Sequence, residues 1–97
     1  MSEETIHRLY LDAQAPMLVS FDLDAVSQAE APGVSAPNPG GLSAELWLAA
    51  AYAAGRAPAV ASADVVELNP RVDLDGQTVR LAALTVWWLL RGRAERV

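Results

Sequence analysis

The sequence predicts an α/β fold, a partial three-layer sandwich with two parallel strands and three helices. Two short apolar runs, residues 17–21 and 59–68, each close on acidic residues and are bounded by turn signals. Helical spacing precedes the first run, fills the interval between them and follows the second, giving the order helix, strand, helix, strand, helix. A strand joined through a helix to a second strand implies a right-handed crossover and parallel pairing. Two parallel strands leave faces and edges uncovered, so the unit reads as a piece of something larger.

Ser2 is placed to cap the first helix, whose opening turn carries Glu3 and Glu4 where carboxylates complement the positive end of the helix dipole. Ile6, Leu9, Tyr10 and Ala13 recur on one helical face, so the helix is expected over residues 3–13. After Pro16, Met17-Leu18-Val19-Ser20-Phe21 is apolar on both alternating faces, the pattern of a buried parallel strand, and it runs into Asp22 and Asp24. Residues 25–42 hold Pro32, Pro37, Pro39, Gly33, Gly40 and Gly41 and should be irregular. Ser43 caps a second helix with face Leu46, Trp47, Ala50 and Ala54, Leu42 and Trp47 can staple its start, and Gly55 should stop it. The second strand ends at Glu67 and is broken by Asn69-Pro70. Asp75 is expected to cap a third helix on which Val79, Ala82, Ala83, Val86, Trp87 and Leu90 share a face, while Leu81, Leu84 and Trp88 make other faces apolar too. Such a helix expects cover on several sides. Trp47, Trp87 and Trp88 read as core or subunit contacts, since no basic residues interleave them as in a stacking site.

Composition narrows the function. Ninety-seven residues hold one core of modest size, so the chain is read as a single segment, residues 1–97. With 53% hydrophobic and 20% charged residues it is too apolar to be disordered. A net charge of -5, with every basic residue an arginine, argues against nucleic acid or an anionic membrane and favours a small cationic partner. No cysteine is present, which excludes disulfides, thiolate metal sites and cysteine nucleophiles. Met1-Ser2-Glu3-Glu4 carries the wrong charge for a secretory signal, and the longest strongly apolar run, residues 81–90, is too short to cross a bilayer, so a cytoplasmic location is expected.

In a parallel sheet, ligands bind beyond the carboxyl ends of the strands, where Asp22, Asp24 and Glu67 lie. Aspartates at i and i+2 on a strand share a side, so their carboxylates can converge on a hard cation that relieves their repulsion. The same pattern is also that of a solvated loop or an Asx turn.

Ser20-Phe21-Asp22-Leu23-Asp24, then Ala31-Pro32-Gly33-Val34, Pro39-Gly40-Gly41-Leu42 and Glu67-Leu68-Asn69-Pro70, resemble in order and separation the carboxy-terminal part of the arginase superfamily, the ureohydrolases. The likeness runs from about Met17 to Leu90 and covers roughly the last third of a family member. It implies an arginase-like fold and a binuclear manganese (Mn2+) centre, with Asp22 and Asp24 as metal ligands and Asp22 bridging both ions. It also implies that Glu67 contacts the guanidinium or amidine of the substrate, with no catalytic group assigned on this chain. Two metal ions lower the pKa of a shared water, and carboxylates hold a cationic carbon in line for attack. Ala31-Pro32-Gly33-Val34-Ser35-Ala36-Pro37 and the stretch from Asp73 to Ala83 are most similar to formimidoylglutamases of histidine degradation, which release formamide and glutamate; agmatinases and arginases are the alternatives.

The family's other ligands, a His block and an Asp-x-His-x-Asp block, do not occur here. The single histidine, His7, lies on the first helix ahead of the strand and reads as an exposed helix residue. Two carboxylates hold manganese poorly, so the ligand set is incomplete and the chain is expected to be inactive alone. The amino-terminal metal-binding part is expected to come from a missing segment or from a partner in a homo-oligomer. Phe21-Asp22-Leu23-Asp24-Ala25-Val26 also resembles the start of haloacid-dehalogenase-like, magnesium-dependent phosphatases, whose downstream lysine is lacking. A third alternative is a non-catalytic remnant that self-associates through exposed strand edges and apolar helices.

Overall fold

Helix α1, Glu3–Leu11, starts where Ser2 accepts a hydrogen bond from the backbone N–H of Thr5 and ends two residues short of the expected boundary, with Asp12 as its C-cap. The computed structural model describes residues 2–96. Strand β1, Met17–Asp22, is followed by a 3-10 turn over Leu23–Ala25. Helix α2, Ala44–Arg56, is capped by Ser43, whose hydroxyl accepts from Leu46 N at 3.1 Å. Strand β2, Val60–Val66, precedes a 3-10 turn at Pro70–Val72 and helix α3, Gln77–Ala94. Among the described residues no helix is long and apolar enough to cross a membrane.

The strands pair in parallel, from Met17↔Val60 to Asp22↔Val66 with one irregularity after Met17. This register puts both carboxyl ends at one edge of the sheet. Phe21 and Val65 face a core completed by Leu23, Val26, Val34, Trp47, Ala51, Ala54, Val60 and Leu81. On the other face Leu18 is 80% exposed and Ser20, Ser62 and Asp64 lie open, with Ser20 donating to Asp64 across the strands. The expectation of a strand buried on both faces is thus corrected: the described residues place helices over one face only, so one of the two outer layers of the sandwich is filled.

Gly55 does not stop α2. It lies buried within the helix and meets Gly92 of α3, because a Cβ on Gly55 would overlap Leu89 O and one on Gly92 would overlap Tyr52 O. The two glycines let the backbones of α2 and α3 touch. Arg96 then donates to Gly55 O at 2.6 Å and Val60 O at 2.9 Å, tying the end of α3 to α2 and to the start of β2. Gly55→Ala is expected to destabilise by about 1–3 kcal/mol through overpacking, read as a lower urea midpoint at unchanged slope. A midpoint equal to that of the unaltered chain would show that the helices can part without loss.

The face of α3 is also corrected. Thr78, Leu81, Thr85 and Gly92 are buried, whereas Val79, Val86 and Leu90 of the expected stripe are exposed and Trp87 is 51% exposed. A helix apolar nearly all round carries no periodic instruction about which side to bury. Its rotation follows from the glycine contact and from the buried Trp47 Nε1, which donates to Thr85 Oγ1 at 2.7 Å while that hydroxyl donates to Leu81 O. Of the three tryptophans Trp47 is core, and Trp88 packs partly against it beside Tyr52.

Candidate functional site

The parallel register brings the end of β1, carrying Asp22 and Asp24, beside the end of β2, where Glu67 follows Val66. Asp22 is the last strand residue and is exposed; Asp24 sits in the 3-10 turn instead of continuing the strand. Asp22 Oδ1 accepts from Asp24 N at 2.8 Å, the Asx geometry by which an aspartate caps a short turn. Asp24 Oδ1 is buried and has no hydrogen-bond partner among the described residues, a costly condition for a carboxylate oxygen unless a cation or donor meets it.

Glu67 is exposed and has a φ of 73°, in the left-handed region that L-residues with a Cβ enter at a cost of about 1–2 kcal/mol. Such a conformation persists where neighbouring structure over-determines it. Asn69, extended as expected before Pro70, donates to Gly33 O at 2.7 Å, and Leu68 forms an antiparallel bridge with Val34. Strand β2 therefore ends at Val66, and Leu68 pairs with Val34 instead of with β1.

The irregular segment is irregular as expected, yet it is anchored. Val26 and Leu42 bridge in parallel, and Glu30 Oε2 accepts from both Ser27 Oγ and Ala44 N, fastening the segment to the start of α2. Its Ala31-Pro32-Gly33-Val34 part is held from the far side by α3. Thr78 Oγ1 accepts from Gly33 N at 2.8 Å, and Asp73 accepts from Thr78 N at 2.9 Å and Val79 N at 3.0 Å.

Asp73, not Asp75, thus caps α3. Asp75 has a φ of 52° and Gly76 takes the N-cap position with no side chain to offer, so the carboxylate comes from further back. The signal for this was Gly76 itself, a permitted but side-chain-free N-cap. Partial burial pushes the Asp73 carboxyl up, but the Thr78 hydroxyl and the N–H groups of Thr78, Val79 and Leu74 outweigh it and hold the group below its ordinary value. Asp73, Thr78 and Gly33 support the site without having been singled out as site residues by sequence.

His7 is exposed on α1, as expected. Among the described residues no three His, Cys, Asp or Glu side chains are grouped to hold a metal ion. Asp22 and Asp24 are hard oxygen donors of the kind manganese or magnesium takes, and the unpartnered Asp24 Oδ1 suits a cation. They fit two ligand positions of a larger set.

A model of the arginase family matches residues 1–91. The formimidoylglutamase of Geobacillus kaustophilus is 45% identical over 80 residues, which is 82% of this chain and 24% of that protein. The formimidoylglutamase of Aromatoleum aromaticum is 49% identical over 83 residues, again 82% of this chain and 24% of the relative. Among solved structures, Trypanosoma cruzi formiminoglutamase with Mn2+2 aligns over 97% of this chain and 32% of its own, with a TM-score of 0.90 and 30% identity. The formimidoylglutamase of Bacillus subtilis aligns over 96% of this chain and 29% of its own, with a TM-score of 0.85 and 31% identity. The chain therefore spans about a quarter of the length of these curated relatives and up to about a third of these solved chains.

Proposed function

Because the chain belongs to the arginase family, we propose that it carries the strand-end carboxylates of a manganese-dependent hydrolase that cleaves a linear amidine C–N bond. N-formimino-L-glutamate is the substrate we assign, since the curated relatives above are named formimidoylglutamase and the T. cruzi formiminoglutamase structure was solved with manganese. The observation that carries the reading is the register of the parallel pair. It gathers Asp22, Asp24 and Glu67 at one sheet edge, with Asp24 Oδ1 buried and unpartnered.

Asp22 and Asp24 would hold manganese, which when bound supplies Lewis acidity and activates water for hydrolysis. Asp24 offers its free Oδ1, while Asp22 keeps its turn through Oδ1 and has Oδ2 left to ligate. Glu67 places a negative charge at the mouth of the site and would orient the cationic amidine by charge-assisted hydrogen bonds. Two donors leave an ion short of ligands, so the working centre would form where these residues join further arginase-family sequence. The magnesium phosphatase reading of Phe21 to Val26 falls away with family membership.

The test is formamide release from N-formimino-L-glutamate by the manganese-loaded polypeptide that contains these 97 residues. Glu67→Gln should lower kcat/KM by about 10- to 100-fold, the worth of a hydrogen bond to a charged group, while leaving manganese content unchanged. Unchanged kcat/KM would remove Glu67 from substrate binding. Turnover of agmatine or arginine in preference to N-formimino-L-glutamate would overturn the substrate assignment.

A further inference from the structure

We propose that Asp73, ahead of α3, and Thr78 in its first turn form a latch that sets the backbone of Glu67, and so act as positioning residues for the substrate-facing acid. The proposal rests on the reading of Glu67 given above. It starts from a continuous line of hydrogen bonds that crosses from the third helix to the end of the second strand. Asp73 receives the N–H groups of Leu74, Thr78 and Val79 at 2.9, 2.9 and 3.0 Å, which fixes the carboxylate against the first turn of α3. Thr78, fully buried, accepts Gly33 N–H at 2.8 Å. Gly33 passes the connection on, its carbonyl accepting Asn69 N–H at 2.7 Å, and Val34 bridges to Leu68.

Gly33 is required because the Asp73 side chain fills the space a Cβ would need, with Asp73 Cβ, Cγ and Oδ1 all 2.6 Å from that position. The helix terminus and the Gly33 backbone are therefore in direct contact. Residues 68 and 69 are held on one side by this contact, and residue 66 on the other by its pairing with Asp22. Glu67 lies between the two fixed points with φ at 73°, a conformation its own side chain disfavours. Releasing Gly33 from Thr78 frees one of the two points, and Glu67 can then relax to negative φ.

A buried threonine on a helix would ordinarily return its hydroxyl to its own helix, as Thr85 does toward Leu81 O. The Thr78 hydroxyl is turned to Asp73 rather than to its own helix, and its oxygen accepts a backbone N–H 45 residues away in sequence. That bond fastens to α3 the Ala31-Pro32-Gly33-Val34 and Glu67-Leu68-Asn69-Pro70 segments, which the Asn69–Gly33 hydrogen bond and the Val34–Leu68 bridge join to each other.

The test is solution NMR of the full chain, reading the intraresidue HN–Hα cross-peak of Glu67, which is strong only at positive φ. Thr78→Val should reduce it to the intensity of the β2 residues, Thr78→Ser should restore it, and Asp73→Ala should weaken it with helicity retained. Formamidine titrated into the same samples should bind about tenfold more weakly to Thr78→Val than to Thr78→Ser, because only the population with Glu67 in place is competent. A full cross-peak in folded Thr78→Val overturns the latch. If Thr78→Val does not fold, as judged by circular dichroism, Asp73→Ala decides, and a full cross-peak there overturns it equally. Loss of the cross-peak with formamidine affinity identical in every variant would leave the latch standing and remove Glu67 as the substrate contact.

Discussion

Trp47→Ala is expected to lower the unfolding free energy by about 3–5 kcal/mol, the usual loss for truncating a buried tryptophan. The indole joins three elements. Its ring meets Phe21 of β1 edge to face, with centroids 5.3 Å apart, and its Nε1 donates to Thr85 of α3 from a position in the middle of the core on α2. Small domains hold about 5–15 kcal/mol in all, so this change removes a substantial share of the total. Trp47→Phe keeps most of the apolar contact and loses the hydrogen bond, for an expected cost of about 1–2 kcal/mol. Trp87→Ala, on the exposed side of α3, should stay within about 0.5 kcal/mol. Urea unfolding followed by circular dichroism reads all three. A Trp47→Ala midpoint no lower than that of Trp87→Ala would mean that α2 and α3 are not locked through this residue.

The second large effect belongs to the strand ends. The Asp22→Ala, Asp24→Ala double variant should weaken manganese binding by at least about 100-fold, since even outer-sphere partners of a metal contribute 10- to 100-fold. The 97-residue chain should take up one ion weakly, because the described residues group no third acid or histidine with these two. Electron paramagnetic resonance separates the outcomes. Free manganese gives a strong six-line signal that falls as the ion binds, and two neighbouring bound ions give a spin-coupled spectrum. Equal uptake by the chain and its double variant would remove Asp22 and Asp24 as ligands. Tight, coupled binding by the chain alone would show that a copy of itself completes the centre. Asp24→Asn isolates the buried oxygen: the amide keeps an acceptor at Oδ1 but carries no charge, so binding should fall with the turn at Leu23–Ala25 intact.

Several of these features were legible in the residues. Ser2 and Ser43 cap α1 and α2 because a hydroxyl just ahead of an amphipathic run has an unpaired N–H within reach, which is a local matter. The acids at 22, 24 and 67 could be placed at one sheet edge because parallel order follows from the alternation of elements. Other features were not legible. Gly55 has the composition of a helix stop and the role of a helix contact, and only Gly92, 37 positions later, distinguishes the two. The sequence pointed to Asp75, the nearer carboxylate, as the cap of α3, and only the left-handed backbone at Asp75 and Gly76 hands that role to Asp73.

By itself the sequence determined the order of elements, the parallel pairing and the candidate residues, because periodicity, capping and motif spacing act over a few positions of chain. The tertiary structure alone decided which side of α3 is buried, which face of β1 stays open and how Glu67 is held. Those outcomes depend on contacts between residues tens of positions apart. Gly55 on Gly92, Trp47 on Thr85 and Gly33 on Thr78 each couple two segments whose local patterns allow several arrangements. Close packing and the requirement that buried polar groups be paired select one of them.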